Sequence, residues 1–126
     1  MIPHNIVALY LDEGEQVQLA FSAYTGNGFG RRVVGVTTKR FILIKSRYVL
    51  VRDGGLLWAE PLGSVALKGI YLRWHANGVY NGNSYVTVRR GDGRVVALNP
   101  RSSFWGGRGA ADGTIEALYS KIAGRF

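Results

Sequence analysis

Apolar positions recur along this chain in two rhythms, and the change of rhythm divides it. Val17, Leu19, Phe21 and Ala23 alternate with Gln16, Gln18, Ala20 and Ser22. A period of two predicts a half-buried strand over residues 17–24. The stretch "RRVVGVTTKRFILIK" then sets two apolar runs around the break Thr37-Thr38-Lys39-Arg40. So short a break predicts an antiparallel hairpin, with strands over 31–37 and 41–51. "RDGG" turns the chain at 52–55, and a fourth strand is expected over 56–62, ending near Pro61. A fifth is expected over 64–74, where the spacing slips at Gly69 and predicts a β-bulge. Residues 75–83 read as a long polar loop with two Asn-Gly pairs. A sixth strand over 84–90, the turn "GDG" and a seventh strand over 94–98 complete the series.

The last segment changes period. Ala111, Ile115, Leu118, Tyr119 and Ile122 form one stripe of an amphipathic helix. Asp112 suits its first turn, and Gly124 is placed to end it. At the other end of the chain, residues 3–11 predict a short helix with Pro3 in its first turn. That segment is apolar enough to pack on a neighbouring copy rather than on its own sheet. The expected organisation is one domain: an N-terminal segment over 1–12, seven strands within 16–98 and a helix over 110–124. Seven twisted strands must close or stack to cover their apolar face, and one helix can plug an end.

Composition narrows the partners more than the fold. The chain has 126 residues and no cysteine, so disulfides and thiol chemistry are excluded. The N-terminus lacks a basic region and a cleavage site, and no apolar run approaches the roughly 20 residues of a membrane span. A cytoplasmic protein, peripheral at a membrane if it binds one, is the expectation. Net charge is +8 and uneven: residues 1–30 carry −3 and the rest +11. Such a field favours polyanions.

The order of elements resembles the pleckstrin-homology-like fold, most closely bacterial PH and GRAM-type domains. The resemblance rests on "LDEGEQVQLAF", "VGVTTKRFILI", "PLGSVALKGI", "VTVRRGDGRVVAL" and the final helix, and covers about residues 11–124. It implies a mainly β fold: a seven-stranded antiparallel bent barrel, or orthogonal sandwich, capped by one C-terminal α-helix. It also implies a non-enzymatic interaction module whose relatives often hold phosphoinositide headgroups near the first two strands. By that analogy the candidate anion-binding residues are Arg31, Arg32, Lys39, Arg40, Lys45 and Arg47. The usual eukaryotic pattern has a basic residue late in strand one and two alternating ones in strand two. Here none precedes Arg31, and the adjacent pair Arg31-Arg32 points to opposite faces. Cations at a hairpin tip also serve simply to keep a strand end from pairing with other chains.

Trp74, Tyr80, Phe104 and Trp105 sit at breaks and are candidates for an interface, with Phe104 and Trp105 also suited to plugging the sheet beside the helix. The expected partners are an acidic protein surface, further copies of the chain, or anionic membrane lipid. RNA or single-stranded DNA is the alternative, supported by a pI near 10.2 but by no nucleic-acid motif. Catalysis has little support: His4 and His75 are far apart, and no nucleophile elbow or P-loop occurs. No cofactor and no metal site is expected.

Overall fold

The computed structural model describes residues 2–25, 30–71, 73–76, 79–82, 84–100 and 111–126, with side chains left out at 72–83. Helix α1 (Pro3–Ala8) leads into β1 (Val17–Thr25), β2 (Arg31–Thr37), β3 (Arg40–Ser46), β4 (Leu56–Pro61) and β5 (Ala66–Ile70). Then come β6 (Arg73–Ala76), β7 (Val79–Gly82), β8 (Tyr85–Arg89), β9 (Val95–Asn99) and α2 (Ala111–Lys121). Seven strands form one antiparallel sheet in the order β4-β3-β2-β1-β9-β8-β5, while β6 and β7 pair separately. The sheet does not close, because β4 and β5 are its two ends.

Among the described residues its two halves meet through two residue pairs, Tyr24 with Asn99 and Thr25 with Leu98. So slender a seam lets the sheet fold over. Val34, Val36, Phe41 and Leu43 then face Leu67, Val86, Val88 and Leu98 around one core. The helix stripe read from the sequence seals it, with Ile115, Leu118 and Ile122 all buried. Glu60 latches the halves at their far end, accepting hydrogen bonds from Arg90 Nε (3.0 Å) and Gly91 N (2.9 Å).

The opposite face of β2 and β3 is also apolar. Val33, Ile42 and Ile44 are covered by Ile6 and Val7 of α1. The N-terminal segment, expected to suit a neighbouring copy, packs Ile6 and Val7 on its own sheet, since an apolar strand face lies within its reach. Gly35 makes this possible: a Cβ there would lie 2.5 Å from Val7 Cγ1.

Several boundaries differ from the sequence reading. The third strand ends at Ser46, because residues 46–54 form a loop closed by Lys45 N to Gly55 O (2.8 Å) and Gly54 N to Lys45 O (2.7 Å). The expected fifth strand stops at Ile70, and the chain then makes the β6–β7 hairpin, pairing Ala76 with Val79 on either side of Asn77-Gly78. No bulge interrupts β5 at Gly69, whose pairing with β8 is regular. Gly69 instead lets α2 approach, since a Cβ there would lie 2.9 Å from both Ile115 Cγ2 and Tyr119 Oη. A bulge does fall between Val17 and Leu19, and it moves Val17 to the α1 side while Leu19 stays with the inner core. Helix α2 ends at Lys121, before Gly124, and the terminal residues run along β5 through Leu67 N to Gly124 O (2.9 Å).

Substituting Gly35→Ala should displace α1 and cost about 1–3 kcal/mol, as overpacking typically does. Urea denaturation measures this, and Val7→Ala in the same chain should recover part of the loss.

Candidate functional site

The six candidate cations do not form one patch. Arg31 and Arg32 do point to opposite faces, as their adjacency requires. Arg31 is only 4% exposed. Its Nη1 donates to the carbonyls of Tyr48 and Val49, both at 3.1 Å, and its Nη2 to Ser22 Oγ at 3.4 Å. Its guanidinium lies 5.2 Å from the Tyr24 ring centroid. This cation holds the β3–β4 loop in place.

Arg40 is internal in a similar way. Its Nε and Nη2 donate to the Glu15 carboxylate at 2.9 and 2.7 Å, and Nη2 also donates to Tyr10 O at 2.7 Å. Glu15 is fully enclosed and takes further hydrogen bonds from the Thr37 hydroxyl and from Asp12 N (2.8 Å). The Arg40 guanidinium, helped by the other donors, holds the Glu15 pKa down at about 2. Thr37 Oγ1 also accepts from Lys39 N (3.1 Å) and Arg40 N (2.9 Å), which is why this Thr suits the hairpin mouth. Lys39 is exposed at the hairpin tip, but Lys45 is six residues further along β3, about 20 Å away.

What remains gathers at the other end, where the β3–β4 connection lies. Arg32 and Lys45 are directly paired across β2 and β3. Alternation puts Arg32 in the row of Val34 and Val36, and Lys45 in the row of Phe41 and Leu43. Both thus extend the inner face past the end of the core. Arg32 is half-buried, and burial lowers its pKa, although arginine remains charged. Lys45 and Arg47 are exposed. Beside them Arg47, Tyr48, Val49, Leu50 and Arg52 line an open depression of about 420 Å³. Arg52 was missed by the sequence reading because it looked like part of a turn; its place one residue past an apolar run that opens with Arg47 was the available signal.

The ion-paired carboxylates lie at the other end. Asp12, Glu15, Glu60 and Asp92 sit at the hairpin-tip end, in ion pairs with Arg40, Arg90 and Arg94. Asp53 is the carboxylate within the loop, where it accepts from the Tyr10 hydroxyl (2.5 Å) and Gly55 N (2.9 Å). That hydrogen bond raises the Tyr10 pKa to about 12.

The backbone places Trp74 opposite Asn81 and Tyr80 opposite His75 in the β6–β7 hairpin, and their side chains lie outside the described residues. Phe104 and Trp105 lie outside them entirely. Among the described residues no group of His, Cys, Asp and Glu could hold a metal ion. No described helix is long and apolar enough to cross a membrane.

The fold has a counterpart among solved structures. The chain is similar to a pleckstrin homology domain from Shewanella amazonensis SB2B, with a TM-score of 0.56 and 15% identity, over 94% of this chain and 93% of that one. No protein-family model and no curated protein matches the sequence. The architecture is therefore the pleckstrin-homology-like fold, as the resemblance implied.

Two predictions separate internal from surface cations. Arg31→Met should cost about 1–3 kcal/mol, because the part-buried carbonyls of Tyr48 and Val49 lose their donor, and should speed amide exchange across 47–52. Arg47→Ala should stay within about 0.5 kcal/mol of the parent. A third prediction concerns acid. A carboxylate with a depressed native pKa stabilises the fold above its unfolded value of 4.5, and this is lost as pH falls toward about 2. Glu15→Gln should cost about 2–3 kcal/mol at neutral pH, less than a fully buried pair because Arg40 is 22% exposed. The gap between parent and variant in urea titrations should narrow from pH 5 downward. A constant gap would mean that the charge of Glu15 contributes nothing.

Proposed function

We propose that this chain is a non-enzymatic module that docks on anionic membrane surfaces through the loop end of its sheet. The observation that carries this reading is the group Arg32, Lys45, Arg47 and Arg52 at that end. Two of these cations are cross-strand partners, and two flank an exposed loop. Phosphate-bearing headgroups need converging donors and positive charge. Concentrating ion-paired carboxylates at the opposite end gives the molecule a charge polarity that would orient it on such a surface. The fold is one that serves as a binding scaffold in the family it resembles, and fold alone does not choose the ligand. Nucleic acid has less support, because the six candidate cations are divided between two ends of the sheet and two of them serve inside it.

Co-sedimentation with vesicles tests this. Binding to vesicles containing phosphatidylglycerol or phosphatidylserine should exceed binding to phosphatidylcholine alone and should fade with salt. Each cation near an anionic surface contributes ~1 kcal/mol, so Lys45→Glu with Arg47→Glu should weaken binding by at least about tenfold. Lys39→Glu, at the far tip, should change it little. No binding at low salt, or equal losses from Lys39→Glu and the loop-end pair, would discard the reading.

A further inference from the structure

The β3–β4 loop presents a combination that needs an explanation. Val49 and Leu50 are 83% and 56% exposed, and Tyr48 beside them is partly exposed. These residues form one continuous apolar turn between Arg47 and Arg52. A solvent-facing loop usually carries polar side chains at its tip. Where an apolar tip is tolerated in a mobile loop, it can fold back and hide; here it cannot.

The loop is tied down at several independent points. Arg31 holds the carbonyls of Tyr48 and Val49 from inside the sheet. Ser46 Oγ accepts from Arg52 N at 3.2 Å, and Tyr10 reaches Asp53 from the turn that follows α1. The Tyr48 ring packs edge-on against Tyr24 with centroids 5.3 Å apart. Val51 turns inward onto the α1-side core. The loop is tied to the sheet and to Tyr10 on both sides of an apolar apex, and that apex stays exposed.

We infer that Val49 and Leu50, steadied by Tyr48, enter the interfacial region of an anionic bilayer while Arg47, Arg52 and Lys45 meet its phosphates. This rests on the membrane reading above and adds the depth and element of contact. The occupant follows from the chemistry around the tip. Apolar residues ringed by cations match a surface with anionic headgroups above acyl chains, and an aromatic ring with a hydroxyl suits the boundary between them. Anchoring in advance means that little loop freedom is lost on contact.

The absence of cysteine allows a clean test. Val49→Cys can be labelled at that one position with an environment-sensitive fluorophore such as NBD. Val95→Cys, at a 54% exposed position toward the hairpin-tip end of β9, serves as control. With phosphatidylserine vesicles, the label at position 49 should shift to the blue and be quenched by lipids spin-labelled on the acyl chain; the label at 95 should not change. Unlabelled Val49→Ser with Leu50→Ser should bind about tenfold more weakly, with the same dependence on salt. Binding without a shift at 49 would overturn insertion and leave surface docking intact. No binding at all would overturn both. Equal shifts at 49 and 95, or a shift with an acidic polypeptide but not with vesicles, would also overturn it.

Discussion

The β2–β3 hairpin is apolar on both faces, and covering it organises the rest of the molecule. Its inner face carries Val34, Val36, Phe41 and Leu43, and its outer face Val33, Ile42 and Ile44. Left open, either face would expose several large side chains, each worth about 1.5–3 kcal/mol of burial. The inner face is met by the second half of the sheet and α2, the outer face by α1. Both solutions require close backbone approach. Gly35 allows one under Val7, and Gly69 allows the other under Ile115 and Tyr119.

Cations serve this structure in two ways, and their partners separate the roles. Arg31 and Arg40 neutralise or satisfy groups that the fold has taken from water, the Glu15 carboxylate and the carbonyls of the β3–β4 loop. Arg32, Lys45, Arg47 and Arg52 stand at one end of the sheet. The two sets are linked, because buried Arg31 sets the position of the loop that carries Arg47 and Arg52. The architecture of the basic end therefore depends on a cation that takes no part in its surface.

Much of the fold was legible. Alternation in β1, the Thr-Thr-Lys-Arg hairpin, the Gly-Asp-Gly turn and the helical stripe from Ala111 to Ile122 are local signals with local causes. Where the reading failed, the cause was nonlocal. The run from Phe41 to Val51 looks like one strand, yet it stops at Ser46 because Arg31 captures carbonyls seventeen and eighteen residues away. Gly69 looked like a bulge and proved to be a helix contact. The uninterrupted apolar runs of β2 and β3 already signalled burial on two sides, and so a cover for the outer face.

By itself the sequence determined most strands of the main sheet, the Thr-Thr-Lys-Arg and Gly-Asp-Gly hairpins, the C-terminal helix and the positive balance, because these depend on period, turn chemistry and charge within a short span, while the β6–β7 hairpin stood where a polar loop was expected. It also determined that Arg31 and Arg32 face apart, since side chains alternate along a strand. Only the tertiary structure decided which cations are available. That depends on burial and on partners far along the chain: Glu15 lies twenty-five residues from Arg40, and Tyr48 lies seventeen from Arg31. Charge can be counted from residues, but its accessibility is a property of what the fold packs against it.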